Sequence, residues 1–288
     1  MKVQILHSLG LARQDQGLHR ITMQRPIAAL DDDASGTPPI GLTALHLLQT
    51  KAPSHFCDER SRNVRAMCER YVLPDQATAE REFLPARAWW SFTPRFNVAA
   101  QQYVPAIRWH DGQSEAAMMR WGLIPAAAEG RAAHAPLTVD VEGILDSPMC
   151  RGPWLNSQRC ILPIAGFYVW QLTNARYRQP FFIRLLDRSV FGLAAIWDRS
   201  ESDDDDVIES WSIVCVPPNE LMMAVANTDG RMPAILRRRD YQTWLKGTPV
   251  EAKAALRPYS PRSMQAYPIS PRINSTVPDD PGLIQPAA

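Results

Sequence analysis

The stretch Met118-Met119-Arg120-Trp121-Gly122-Leu123-Ile124-Pro125 is the most distinctive part of this sequence, and short runs typical of strands lie on both sides of it. These runs are rich in β-branched and aromatic residues and alternate with turn residues: Phe96-Asn97-Val98, Val104-Pro105-Ala106-Ile107-Arg108-Trp109, Cys160-Ile161-Leu162-Pro163, Phe181-Phe182-Ile183 and Ser212-Ile213-Val214-Cys215-Val216. Such runs predict short strands. From Met67 onward we therefore expect a mainly β core.

Helical segments are fewer. Gln76–Phe83 follows a Pro74-Asp75 start, Glu220–Ala226 follows Asn219 as a cap, and Arg239–Leu245 follows an apolar pair. A side-chain oxygen just before a helical segment is the usual helix start signal. The sequence thus predicts an α+β fold in a single domain.

Composition limits the function only loosely. The 288 residues are 45% hydrophobic and carry a formal net charge of +1, so nucleic-acid binding would need a local basic surface. The 5 cysteines are odd in number and form no C-x-x-C pair. This argues against a disulfide framework or a structural zinc site, and we expect no cofactor or metal. No apolar run reaches the ~18 residues of a membrane span, so we expect a reduced cytosolic protein without a membrane role.

Three segments differ from the β-rich region. Residues 1–66 contain Asp31-Asp32-Asp33 and only one short helical candidate, Leu42–Leu48, and are interpreted as an amino-terminal extension. The run Ser200–Asp206 could form a metal cluster, but repulsion between adjacent carboxylates favours a solvated hairpin loop. The proline-rich end, Pro258–Ala288, fits either a disordered tail or a strap over the core.

The central stretch is similar to the M-R-W-G-L-I-P segment of the SOS-response-associated peptidase (SRAP) family, and four other segments match that family in its order. They are Arg95-Phe96-Asn97-Val98-Ala99, Gln158–Pro163 with Gly166-Phe167-Tyr168-Val169-Trp170, Arg231-Met232-Pro233-Ala234-Ile235-Leu236, and Tyr267–Ser270 with Ile273-Asn274-Ser275. The resemblance implies one SRAP-like domain over residues 67–288, with a barrel-like, mainly antiparallel β core and flanking helices. It also implies a protein that acts on abasic sites in single-stranded DNA, which we expect to be a monomer at the nucleoid.

The residues Met67-Cys68-Glu69-Arg70-Tyr71 resemble the start of the family's domain, where removal of Met exposes a cysteine. An amino-terminal cysteine has an α-amine of pKa about 8 beside a thiol of pKa about 8.5, and both react with aldehydes. The resemblance therefore implies that Cys68 is the residue that links to a ring-opened abasic site.

In the sequence as written Cys68 is internal, and its amide nitrogen cannot form an imine. One explanation is a start codon placed too early, with Met67 as the true initiator. The other is a genuine extension that prevents the chemistry or must be cut first. The compositional change at residue 66 favours the first.

Other positions depart from the family's pattern. The glutamate of G-F-Y-E-W is Val169, and counting from Asn219 or Arg231 places the family's histidine at Ala226. The family's N-A-R-A-E segment aligns with Leu137–Glu142, which puts Thr138 and Asp140 at its asparagine and arginine. An acidic residue there would repel phosphate. Enzymatic activity is therefore left open, since the groups tied to self-processing and proton transfer are replaced.

The positions that still match residues of the family's DNA channel are Arg70, Asn97, Trp121, Trp170 and Arg231. A tryptophan face can stack on an exposed base, and arginines can bind phosphates. Core packing is the alternative interpretation for each tryptophan.

Two functions follow. The first is an abasic site processing protein that binds single-stranded DNA and links to it through Cys68. The second is a binding module with the same fold and no covalent chemistry. A conventional cysteine hydrolase is disfavoured, because after Cys68 only His110 and His134 remain and neither lies in a recognisable motif.

Overall fold

The computed structural model describes residues 69–126, 135–174, 177–201, 206–226 and 230–287, all within one compact unit. Its strands are β1 Arg70–Leu73, β2 Arg87–Trp89, β3 Arg95–Ala99, β4 Tyr103–His110, β5 Gln113–Trp121, β6 Thr138–Asp140, β7 Arg159–Ile164, β8 Gly166–Asn174, β9 Tyr177–Leu185, β10 Phe191–Glu201, β11 Val207–Val216, β12 Met232–Pro233, β13 Ile235–Leu236 and β14 Met264–Pro268. The α-helices are α1 Gln76–Phe83, α2 Pro148–Leu155, α3 Glu220–Val225, α4 Tyr241–Lys246 and α5 Pro249–Ala255. This is the α+β class predicted from the sequence.

The larger sheet closes into a barrel. Strands β11, β10, β7, β4 and β5 pair in that order as antiparallel neighbours, and β5 then pairs with β11 in parallel through Ser210↔Arg120 and Trp211↔Trp121. A ring of this kind leaves no free edge among its five strands. The prediction of a barrel-like, mainly antiparallel core is confirmed.

The distinctive stretch of the sequence lies where the barrel closes. The rings of Trp121 and Trp211 stack with centroids 5.3 Å apart and an interplanar angle of 15°. Gly122 follows at φ +110°, a conformation that side-chain-bearing residues rarely adopt, and its backbone nitrogen donates to the Trp211 carbonyl at 2.9 Å. Tryptophan followed by glycine thus supplies both the stacked ring and the turn that close the barrel.

A second sheet, in the order β14-β9-β8-β1-β3, is antiparallel throughout. Gly166 begins β8, where a Cβ atom would lie 2.3 Å from Cζ of Phe182 and 2.6 Å from the Ile183 carbonyl oxygen. Only glycine permits this close approach of β8 to β9.

The predicted helices agree closely with the structure. Helix α1 has its predicted bounds and is capped by Asp75, whose carboxylate accepts from the Thr78 backbone at 2.9 Å. Asn219 caps α3 in the same way. The third helix begins later than predicted, at Tyr241, because a 3₁₀ turn over Arg238–Asp240 precedes it. Helices α2 and α5 were missed, since both are short and begin with proline, and α2 also contains Pro153.

Of the two alternatives left open for the proline-rich end, the structure shows the strap. It contains β14 and 3₁₀ turns at Pro261–Ser263, Pro271–Asn274 and Pro281–Ile284, and Ile269, Ile273 and Leu283 are fully buried. Proline supplies the turns and these apolar side chains hold the strap on the second sheet.

Several predictions fall outside the described residues: the extension with its boundary at residue 66, the Leu42–Leu48 helix, Cys68, and Ser202–Asp205 of the acidic run. The flanking strands β10 and β11 are paired up to Glu201 and Val207. In the part of the chain that the structure describes, no helix is long and apolar enough to cross a membrane, and no group of three or more His, Cys, Asp or Glu residues could hold a metal ion.

Candidate functional site

Strands β1 and β8 set the geometry of the candidate site. They are antiparallel, with Tyr71 opposite Phe167 and Val72 opposite Gly166. Because the strands run in opposite directions, Arg70 lies on the side of β8 that follows Phe167. That part of β8 includes Val169 and Trp170. The assignment of Cys68 as the reacting residue remains a prediction.

Arg70 is held by Asn97. Its guanidinium donates to Asn97 Oδ1 at 2.8 Å, across the β1–β3 pair. Asn97 is 1% exposed, and its Nδ2 donates to the carbonyl oxygens of Ser275 at 2.9 Å and Pro278 at 2.7 Å. Because its whole amide group is engaged, Asn97 positions Arg70 and the strap, and it presents no free polar atom to a ligand.

Trp121 and Trp170 are packed inside the protein. Trp121 is fully buried and donates from Nε1 to the Leu137 carbonyl at 3.1 Å. Trp170 is 7% exposed and donates to Asn274 Oδ1 at 2.8 Å. The structure therefore places both rings as the core-packing alternative describes, with no open face for a base.

Arg231 and Asp140 face each other across β11. Strands β6 and β12 flank Cys215, which lies opposite Asp140 on one side and Pro233 on the other. The Arg231 guanidinium is 3.7 Å from the Asp140 carboxylate, and each side chain is over one-third exposed. Asp140 thus offsets part of the positive charge of Arg231. Thr138 lies two residues before Asp140, half-buried and opposite Ile213.

Val169 and Ala226 are buried apolar residues, 2% and 4% exposed. Val169 lies opposite Phe181 in β9, and Ala226 ends helix α3. Gln171 links their two elements, because its Nε2 donates to the Ala224 carbonyl at 3.0 Å. Neither side chain has a group that can transfer a proton. That these two positions correspond to the family's glutamate and histidine remains a prediction from the sequence.

Sequence reasoning missed the part played by Asp279. Its carboxylate accepts from Arg95 Nε at 2.7 Å and from the backbone nitrogen of Asn97 at 3.0 Å. Asp279 therefore fixes the strap on β3 beside the Arg70–Asn97 pair. No local signal marks it, since its partners lie more than 180 residues away in the sequence.

The cysteines that the structure describes, Cys150, Cys160 and Cys215, have a structural role. Cys150 is 1% exposed, and Cys160 and Cys215 are fully buried. Burial raises the pKa of the Cys150 thiol, and it raises the pKa of the Cys160 thiol well above the usual range. Both stay protonated at neutral pH, which excludes them as nucleophiles.

We expect a soluble maleimide to leave Cys150, Cys160 and Cys215 unmodified in the native protein at pH 7.5 and to modify all three in urea, because only the unfolded chain exposes them. Peptide mass spectrometry after quenching measures the modification. Rapid native labelling at any of the three would contradict the burial described here.

Comparison with known proteins agrees with this architecture. The family model for SOS response associated peptidase (SRAP) matches residues 67–276. The chain is 30% identical to the abasic site processing protein YoqW of Bacillus subtilis (strain 168) over 208 residues, which are 71% of this chain and 90% of that protein. It is 24% identical to the abasic site processing protein HMCES of Mus musculus, over 68% of this chain and 66% of that protein.

Solved structures are similar as well. A protein from Bacteroides thetaiotaomicron matches with a TM-score of 0.62 and 29% identity, over 67% of this chain and 85% of that one. A protein from Bordetella bronchiseptica matches with a TM-score of 0.63 and 22% identity, over 70% of this chain and 100% of that one. With the family model covering the barrel, the second sheet and the start of the strap, the chain belongs to the SOS response associated peptidase (SRAP) family.

Proposed function

We propose that this protein processes abasic sites in single-stranded DNA by forming a covalent link through Cys68, once Cys68 is the first residue of the chain. The main support is that the family match begins at Met67, directly before Cys68. Relatives that align with most of this region are named abasic site processing proteins. We further propose that it acts as a monomer at the nucleoid in the cytoplasm.

The link needs only the two nucleophiles of an amino-terminal cysteine. The α-amine adds to the C1′ aldehyde of the ring-opened sugar, and loss of one water gives an imine. The Cys68 thiolate then forms a bond from Sγ to C1′, while the imine electron pair moves to nitrogen, which takes up a proton. The product is a five-membered thiazolidine ring, formed without an external oxidant or reductant.

The side chains around the site predict slow chemistry. Val169 and Ala226 supply no general acid or base, which usually contributes about 10²–10⁴-fold to such steps. For DNA binding, the proposal relies on Arg70, held in place by Asn97, and on Arg231, partly neutralised by Asp140. We therefore expect weaker phosphate binding than two unpaired arginines would provide.

A non-covalent binding module is the second candidate. The burial of Val169 and Ala226 favours it, because the protein has packed both positions as apolar core. In that case the barrel and second sheet would retain a DNA-binding surface without the chemistry.

One experiment separates the two. The protein expressed from Met67, with Met removal confirmed by mass, is incubated with a single-stranded oligonucleotide that carries one abasic site. We expect a species that survives denaturation, with the mass of protein plus oligonucleotide minus one water. Its rate should rise as pH approaches the pKa of about 8–8.5 of the α-amine and thiol, since both react in their deprotonated forms.

Three controls define the chemistry. The full chain lacks the free amine at Cys68, and C68A lacks the thiol, so neither should form the stable ring. C68S keeps the amine and should form only an imine, which borohydride reduction traps. If the Met67 form gives no stable product, but binds the oligonucleotide as tightly as C68A does, the covalent proposal fails and the binding module remains.

A further inference from the structure

A basic cleft lies away from the proposed site. Its volume is about 300 Å³, and it is lined by Arg188, Arg237, Arg238, Arg239, Tyr259, Ser260 and Ser263. Three segments form it: the turn between β9 and β10, the residues after β13, and the residues before β14. Four arginines from two of these segments thus share one concavity, whose lining contains no carboxylate.

The ion pairs around the cleft leave one arginine unneutralised. Arg238 pairs with Glu82, Arg188 is 3.4 Å from Asp187, and Arg239 is 3.8 Å from Asp240. Among the residues that the structure describes, no carboxylate lies within ion-pair distance of Arg237. Its guanidinium instead lies 6.0 Å from the centroid of the Tyr259 ring. Arg237 therefore has unused donors in the cleft.

Arg188 and Arg237 approach the same tyrosine. Tyr259 is 7% exposed, and burial raises the pKa of its phenol, while the positive charges of Arg188 and Arg237 oppose that rise. Both arginines line the same cleft as Tyr259 although they come from different segments, and the negative charge of Asp187 acts on the same phenol. The hydroxyls of Ser260 and Ser263 line the same space and donate no hydrogen bond to any other described residue. Positive charge and free hydroxyl donors therefore converge from several directions.

We propose that this cleft is a second anion site that binds a phosphate group. A tetrahedral phosphate accepts hydrogen bonds in several directions, which suits two guanidinium forks and two hydroxyls better than a planar carboxylate does. The lining of the cleft includes neither Arg70 nor Asn97 nor Val169 of the candidate site. Val169 is paired with Phe181, whereas Arg188 lies beyond the far end of β9.

The phosphate has two possible sources, a nucleic-acid backbone or a small phosphate in solution. We assign the phosphate to the DNA backbone. Asp140 partly neutralises Arg231, and the cleft supplies a further arginine contact for the DNA. This assignment rests on the proposed function, while the phosphate site itself does not.

The first test uses the full-length protein and inorganic phosphate, titrated at constant ionic strength against chloride. The variants R237Q and R188Q each remove one cleft charge. R262Q is the matched control, since Arg262 is exposed and belongs to the same segment as Ser260 and Ser263 but does not line the cleft. We expect phosphate to raise the unfolding midpoint of the wild type and of R262Q, and to leave those of R237Q and R188Q unchanged. An equal response in all four proteins, or none in any, would overturn the site.

The second test measures binding of a single-stranded oligonucleotide without an abasic site as a function of salt. Loss of one phosphate contact should reduce the slope of log K against log salt by about 0.7 in R237Q relative to R262Q. Equal slopes, together with phosphate binding in the first test, would assign the cleft to a small phosphate and overturn the DNA assignment. Failure of the Cys68 link would change neither measurement, so the two proposals fail independently.

Circular dichroism before the titrations distinguishes loss of the site from loss of the fold. R188Q and R237Q each replace one half-buried side chain on a separate segment and keep a long polar side chain there, so we expect at least one of them to retain the native spectrum. A correctly folded variant that keeps the full phosphate response would also overturn the proposal.

Discussion

Replacing Trp121 with alanine should lower the free energy of unfolding by about 3–5 kcal/mol, as typical for a buried tryptophan. The ring is fully buried and stacks on Trp211, and its centroid lies 5.4 Å from the centroid of the Tyr71 ring. Removing it leaves a cavity where β5 meets β11, at the closure of the barrel. Urea denaturation followed by circular dichroism measures the change.

Trp89 provides the matched control. It lies in β2 and is 68% exposed, so W89A should change stability by less than about 0.5 kcal/mol. If W121A and W89A unfold at the same urea concentration, Trp121 does not close the barrel as described.

The same residue tests the stacking interpretation. W121F keeps an aromatic ring in the core and should fold, while its smaller ring would weaken a stack on DNA, which is typically ~1–3 kcal/mol per base. Because Trp121 has no exposed surface, we expect the affinity of W121F for single-stranded DNA to match that of the wild type. A loss of affinity of tenfold or more in the folded variant would show that the ring reaches the DNA.

Replacing Asn97 with leucine should lower the free energy of unfolding by about 2–5 kcal/mol, since each buried group left without its partner costs about 1–3 kcal/mol. The change removes the acceptor of the Arg70 guanidinium and the donor to the carbonyls of Ser275 and Pro278. The strap should loosen together with β3, and hydrogen exchange should show faster exchange at Ile273 and Leu283.

N97D and N156L are the controls for this prediction. N97D keeps an acceptor for Arg70 but sets a carboxylate against two carbonyl oxygens, so it should destabilise the strap while keeping Arg70 in place. N156L replaces an exposed asparagine and should be nearly neutral. If N97L and N156L are equally stable, Asn97 does not join the strap to β3.

The candidate site combines a hydrogen-bonded arginine with buried apolar residues. Arg70 contacts Asn97, whereas Val169 and Ala226, which the sequence predicts to replace the family's glutamate and histidine, are part of the apolar core. Under the proposed function, the covalent reaction would rely on the intrinsic nucleophilicity of Cys68. This is why the rate of the reaction, and not only its occurrence, distinguishes the two proposed functions.

The amino-acid sequence predicted the fold class, the family, five of the strands and three of the described α-helices. These follow from local chemistry: the runs of β-branched and aromatic residues in the strands and the caps at Asp75 and Asn219. The helices that it missed, α2 and α5, begin with proline and span only eight and seven residues, so their local pattern was weak.

Which side chains can contact a ligand depends on the three-dimensional packing. A strand pattern does not show whether both faces of a strand are covered. From the sequence, Trp121 and Trp170 therefore fitted a DNA-stacking surface and a protein core equally well. In the structure both rings are buried, and Trp170 bonds to Asn274 of the strap. The contact of Asp279 with Asn97 and the convergence of Arg188 with Arg237 join residues far apart in the chain. Such contacts depend on how the sheets and the strap pack in three dimensions, and a local sequence pattern contains no information about that packing.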